Sequence, residues 1–504
     1  MIRISNNSLA KIKKIISFFL LVCLLFSFLS LQISAIGNYS PDKEALDAYL
    51  KAEIISANLP SLVLGVVQGD TVKYLQTFNN PNYKENVVLP SSIMLTGAIS
   101  KVMTISLALQ LASDSKLKLD ETIIHYLPNI PWAEQAGANL VTVRMLLLGT
   151  SGISGKDKWS HVKSFNKAGN SYADADANYV LLQKILAAVS GLDFGSLLRE
   201  KLFVPLTMKH SYVKQQDVEG KFSNGYATKF GFNFLMSSII NEEKLSLGYI
   251  ASSPDDLCKF MKFLNTGESA NGKLILLPEY LGLLQKDLVI TQAGALDKSY
   301  TMGFQKEKFT GVNVLRMESG VENYYATIAL VPKYEAAIFM LSNANHALTT
   351  ASILSKIFTS VLNILMGKVA FHTGFDFFTQ YLLIDVATIL VLLSLFFSLI
   401  SLSGWKSKVK AGMLNLQHSA VLPFLYNFLI PLIFIIGLPL LLDRSWKNIL
   451  ELIPDIGLLG LIVALMNMLI GILKILIYFL YHKKDWSFKA PKQKKAKTLK
   501  FKKR

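Results

Sequence analysis

Cysteine is almost missing from this chain: Cys23 and Cys258 are the only two in 504 residues. Cys23 lies in an apolar N-terminal run, so the polar part of the chain has one thiol, cannot close an internal disulfide and must rely on its core. Cys23 also lacks the small preceding residue that a lipoprotein site wants, which argues against lipidation. Charge is scarce as well. Asp, Glu, Lys and Arg make up 17% of residues, hydrophobic types 51%, and the mean hydropathy is +0.38. That balance excludes an ordinary soluble enzyme and puts part of the chain in lipid.

The formal charge is nevertheless +17. All of it sits in three patches: Arg3, Lys11, Lys13 and Lys14 at the start, Lys406, Lys408 and Lys410 in a short loop, and the tail from Lys483 to Arg504. The rest of the chain nets to zero. Charge that flanks apolar runs anchors a protein on anionic lipid and does not form a nucleic-acid-binding face.

Residues 1–35 have the layout of a signal peptide or N-terminal anchor: "KIKK", an apolar run from Ile15 to about Leu31, then "QISA". Three further runs, at about 381–403, 421–442 and 456–481, are each long enough to cross a bilayer as a helix. The loop after the first run is basic, the loop after the second is balanced, and the tail 483–504 is strongly basic. The positive-inside rule then predicts an extracytoplasmic domain over 36–375, periplasmic or extracellular, three transmembrane helices within 376–482, and a cytoplasmic tail on the inner leaflet of the cell membrane. Asp385, Asn427, Asn467 and Lys474 are the few polar residues in the spans. They read either as helix–helix contacts or as an intramembrane path.

Residues 40–370 are mixed. "SLVLGVVQGDTVKYLQTF" (61–78) predicts a β-hairpin turning at Gly69-Asp70, and "SYTMGFQ", "VNVLRM", "YYATIALVP" and "AAIFMLSN" predict strands near the end. Helices are expected over 98–112, 178–203 and 347–365. The fold class is α+β: an antiparallel sheet built from both chain ends, with helices inserted between them. The helix opened by "TGAISKVMTISLALQLA" is apolar nearly all round, with Lys101 as its one charge. A buried ammonium needs a carboxylate partner or a catalytic task.

The ordered segments "LTGAISKVMTISLALQLASDSKLKLDETIIHYLP", "VTVRMLLLGTSGI", "NYVLLQKILAAVSGLDFGSLLREKLFVPLTMKHSYV", "GYIASSPDDLCKFMKFL", "TMGFQ" and "YYATIALVPKYEAAIFMLSNAN" resemble the serine β-lactamase and penicillin-binding-protein superfamily, in its class C and D-aminopeptidase-like branch. The three C-terminal helices are similar in layout to the prodrug-activating periplasmic peptidases. The resemblance implies a serine nucleophile at the start of the buried helix, with a lysine one turn later as its base. Here Lys101 is present, but the nucleophile position is Ala98. Ser100 points about 200° away along a helix. Ser113/Lys116, Ser160/Lys163 and Ser211/Lys214 repeat the spacing without the helix context.

The resemblance also implies a proton-shuttling tyrosine triplet. Counting back from Tyr179 places either Asp174-Ala175-Asp176 there or, with a two-residue insertion, Tyr172-Ala173-Asp174. A third cluster, which contacts the substrate carboxylate, falls on Glu318-Ser319-Gly320, and the implied oxyanion donors are the amides of Ala98 and Val321. Gly149 stands where many relatives have histidine.

The expectation is a membrane-anchored pseudoenzyme in which Lys101 pairs with Asp174, Asp176 or Glu318 and the groove takes a peptide-like, cationic or neutral small ligand. The alternatives are an active serine hydrolase, if Ala98 replaces a native serine, or an accessory subunit that joins a membrane protein partner in transport. Neither cofactor nor metal is called for.

Overall fold

The computed structural model describes residues 42–485 apart from 164, 166–167, 170–171, 219, 287–288, 294–295, 412–420, 443–444, 447–448 and 451–452. The expected signal segment 1–35 and most of the basic tail lie outside the described residues.

Helix α1 (Lys43–Ser56) leads into the hairpin β1 (Ser61–Gln68) and β2 (Thr71–Asn79), which turns at Gly69-Asp70 as the sequence predicts. After β3 (Met94–Leu95) come the buried helix α2 (Ala98–Ser113), α3 (Asp176–Ser190), β4 (Ser211–Tyr212), and a second hairpin of β5 (Gly225–Lys229) and β6 (Phe232–Met236). Short β7 (Ala251–Ser252) and helix α4 (Pro254–Thr266) precede the strands β8 (Val289–Ala293), β9 (Leu296–Thr301), β10 (Phe304–Phe309), β11 (Val312–Val321), β12 (Tyr324–Val331), β13 (Ala336–Ser342) and β14 (Ala344–Asn345). Helix α5 (Thr350–Leu365) closes the domain.

The main sheet runs β2-β1-β13-β12-β11-β10-β9-β8, with antiparallel neighbours, and β1 pairs with β13 so that the two chain ends meet. Strands β12 and β13 are buried at every position. Both faces are covered, so "YYATIALV" and "AAIFMLS" are continuous apolar runs and not alternating ones. One core lies between the sheet and the inserted helices, including α2 and α4; a second lies between the sheet and α1 with α5.

The helical stretch expected over 178–203 is broken. Gly191 takes φ +72° at the end of α3, and Asp193 caps the next turn by accepting from the Ser196 amide at 2.9 Å. A glycine at that conformation stops a helix at little steric cost.

Beyond the domain, α6 (Gly374–Lys410) and α8 (Pro454–Asp485) contain the first and third predicted spans, and both are long and apolar enough to cross a membrane. The middle run divides into Val421–Phe424, a π turn over Leu425–Leu429, and α7 (Ile430–Leu441), which carries Pro439 inside it. The polar residues of the spans join the helices: Lys474 Nζ donates to Asn427 Oδ1 at 2.9 Å, and Asn427 Nδ2 donates to Ser398 Oγ at 2.8 Å. Asp385 is exposed on α6 and takes no part in that set.

Candidate active site

The start of α2 is held by the segment 247–250. Thr96 donates from its amide to the Ile250 carbonyl at 2.9 Å, and the Gly97 amide donates to the Gly248 carbonyl at 3.2 Å. Gly97 has φ +50°, and a Cβ there would stand 2.8 Å from the Ser319 carbonyl oxygen, so only glycine lets β11 approach this closely. A Cβ on Gly248 would come 3.0 Å from Val321 and 3.1 Å from Gly97.

Ala98 is fully buried, and Val321 nearly so, where 247–250 packs against the start of α2. Ser100 is also fully buried and is not a ligand contact. Its hydroxyl lies 2.7 Å from Thr96 Oγ1 and accepts from the Ile250 amide at 3.3 Å, which ties the helix start to β7's approach.

Lys101 is the residue that reaches a cavity. The cavity measures about 110 Å³ and is lined by Lys101, Tyr172, Asp174, Tyr179, Tyr300 and Glu307, among others. Lys101 Nζ lies 3.3 Å from Asp174 and 3.9 Å from Asp176, and sits 4.6 Å over the Tyr179 ring. Both carboxylates are half-exposed, whereas the lysine is buried. Burial pushes the Lys101 amine down, but Asp174 and Asp176 push it up and prevail, so it is held above its ordinary value. At neutral pH it is an ammonium, which cannot take a proton from a nucleophile.

Tyr172 stacks on Tyr300 with ring centroids 3.8 Å apart and planes 9° from parallel. Burial, with Tyr179 and Asp174 nearby, drives its hydroxyl far above the usual phenol range. Gly149 makes room for this ring: at φ +68°, a Cβ there would come 2.8 Å from Tyr172. Both ways of counting back from Tyr179 thus reach the cavity, Asp174 as the lysine's partner and Tyr172 as a wall.

Glu318 is a further correction. On β11 it alternates to the α5 side of the sheet, where it accepts from Arg316 at 2.8 Å and from the Ser355 hydroxyl at 3.1 Å. It touches the cavity but does not pair with Lys101. Ser319 faces α2, yet its hydroxyl donates to the Gly320 carbonyl at 3.3 Å, and Gly320 lies against Asn345. Tyr300 and Glu307 were not identified from the sequence. They stand on β9 and β10, where no motif marks them, and only the folding of those strands against α3 brings them to Lys101.

The ion pair has a pH signature. Lys101 has a higher pKa folded than unfolded, so its contribution is fully present below about 10.4 and is lost as pH rises through the folded value. The difference in Tm between the wild type and Lys101→Met is expected to stay constant from neutral pH to about 10 and to shrink above it. Thermal melts across pH 7 to about 12 read this directly.

The family model for Beta-lactamase matches residues 45–355. The chain is 22% identical over 241 residues to the teichoic acid D-alanine hydrolase of Staphylococcus aureus, a match that takes in 45% of this chain and 58% of that one. The chain therefore spans less than two thirds of that relative's length. It is 23% identical over 475 residues to the Staphylococcus aureus protein called Protein flp, covering 86% of this chain and 90% of that one. Among solved structures, the octameric penicillin-binding protein homologue from Pyrococcus abyssi shares the fold with a TM-score of 0.56 and 21% identity, over 65% of this chain and 78% of that one.

Proposed function

Because this chain belongs to the beta-lactamase family, we propose that it is a non-hydrolytic member, a membrane-anchored protein whose Lys101 cavity binds an ammonium-bearing aminoacyl ligand. One observation carries the reading: where the fold would keep a hydroxyl and its base, there is a fully buried Ala98 and a lysine held as an ammonium by Asp174 and Asp176. Acyl transfer needs a nucleophile and a group to take its proton, and this arrangement supplies neither.

The ligand class follows from charge. Asp174 and Asp176 are half-exposed, and Glu307 stands in the same cavity with no partner among the described residues. The lining sets Lys101 and Arg316 against Asp174, Glu307 and Glu318, and Asp176 adds a further carboxylate beside Lys101, so a cation is favoured over an anion. A D-alanyl ester, the kind of group named in the hydrolase relative, exposes such an ammonium.

The rival reading, an active hydrolase, draws on Tyr172 beside Lys101. It requires the tyrosine to give up its proton in an environment that holds it on.

Titration calorimetry with D-alanine methyl ester tests the proposal. Binding without turnover is expected, with loss of binding when the amine is acetylated and weakening in Glu307→Gln. Preference for the acetylated compound, or persistent covalent labelling by a fluorescent penicillin, overturns it.

A further inference from the structure

The hairpin β5–β6 carries apolar side chains that are largely exposed among the described residues: Phe232 is 70% exposed and Phe234 51%. Its turn, Phe230-Gly231, has positive φ at both residues, the geometry of a tight two-residue hairpin. That turn is fixed to the outer ends of the two membrane-length helices. The Phe230 amide donates to Asp455 Oδ2, at the start of α8, at 2.9 Å. The Gly231 backbone packs on the ring of Tyr381, where the apolar part of α6 begins.

Buried polar contacts make this junction rigid. His346 Nε2 lies 3.2 Å from Asp455 Oδ1, and Thr349 Oγ1 lies 3.0 Å from His346 Nδ1 and 2.7 Å from the Tyr381 hydroxyl. On the other side, Glu53 is fully buried and accepts from the Thr373 amide at 3.0 Å, at the start of α6. The domain therefore sits at one height relative to the spans. At the start of α6, on the domain side of Tyr381, Phe371 and Phe375 are 66% and 80% exposed.

We infer that the tip of this hairpin, with Phe371 and Phe375, is a membrane-docking collar whose occupant is the lipid leaflet facing the domain. The inference rests on reading α6 and α8 as spans. Continuity with them selects lipid over other occupants: side chains level with the first apolar residues of a span meet the headgroup and acyl boundary, where aromatic residues are favoured. Lys229, in the strand before the turn, lies 5.9 Å from the centre of the Phe234 ring and adds a cation suited to anionic headgroups. The domain is thereby seated on the bilayer and not swung on a tether.

The test uses the full chain in liposomes, in a Cys23→Ser, Cys258→Ala background, with a polarity-sensitive fluorophore at one introduced cysteine. Phe232→Cys and Phe234→Cys report the hairpin, Leu390→Cys the middle of α6, and Lys273→Cys a water-facing site. The expected result is that the hairpin probes lose most of their emission to lipids bearing a nitroxide near the headgroup and are shielded from aqueous iodide. Iodide quenching as strong as at position 273, with position 390 still quenched by a deep nitroxide, overturns the docking and leaves the spans standing. No lipid quenching at 390 removes the spans and the docking with them. Shielding that disappears on diluting protein in lipid, without nitroxide quenching, identifies a second copy as the occupant and also overturns the proposal.

Discussion

Ala98→Ser is expected to leave the protein unlabelled by fluorescent penicillin, with acylation at least ~1000-fold slower than in an active beta-lactamase. Two obstacles act separately. A restored hydroxyl would still have no base, because Lys101 is kept protonated by Asp174 and Asp176 and Tyr172 is kept as the phenol. Access is the second obstacle, because position 98 is fully buried at a helix start held by 248–250. Ala98→Cys distinguishes the two, since a thiol reacts with a small methanethiosulfonate without the lysine's help. No modification is expected in the native protein, and full modification after denaturation. Rapid penicillin labelling of the serine variant would show instead that Lys101 or Tyr172 still serves as a base and that the site is one substitution from activity.

The second large effect concerns the ion pair. Asp174→Asn with Asp176→Asn removes the two carboxylates that lie within 4 Å of a buried ammonium among the described residues, and leaves the Tyr179 ring and Tyr172 beside it. Breaking a buried pair from one side costs several kcal/mol, and half-exposed partners place this case near the low end, about 3 kcal/mol. Adding Lys101→Met to that double variant is expected to recover most of the loss, because the uncompensated charge is then gone and a methionine fills the same space. Denaturant unfolding of the wild type, the double variant and the triple variant measures it. A double variant as stable as the wild type would mean that Lys101 finds water or another partner, and that the pair does not organise the cavity.

Much of the fold was legible. The β1–β2 hairpin, the terminal strands, α2 and α5 each have a local cause, a turn residue or an apolar period, that needs no partner to be read. The break at Gly191 was less so, because an apolar pattern that resumes after one turn looks continuous. The hairpin β5–β6 was not seen at all. "KFGFNF" turns at a phenylalanine in a left-handed conformation, and its apolar strand faces outward, against the usual pattern of a half-buried strand.

What the sequence determined by itself is chemical inventory. It has no hydroxyl at 98, one charge in an apolar helix, two carboxylates ahead of Tyr179, and a net positive charge that sits at the flanks of apolar runs. What only the tertiary structure decided is direction. Glu318 turns to Arg316 because strand alternation sends it through the sheet, Ser100 turns to Thr96 and Ile250 because the helix start is clamped there, and Asp174 and Asp176 are the carboxylates that come within 4 Å of Lys101 among the described residues. A carboxylate's presence can be read from one letter. Which cation it neutralises depends on contacts between elements tens or hundreds of residues apart, and on which face of the sheet each side chain occupies.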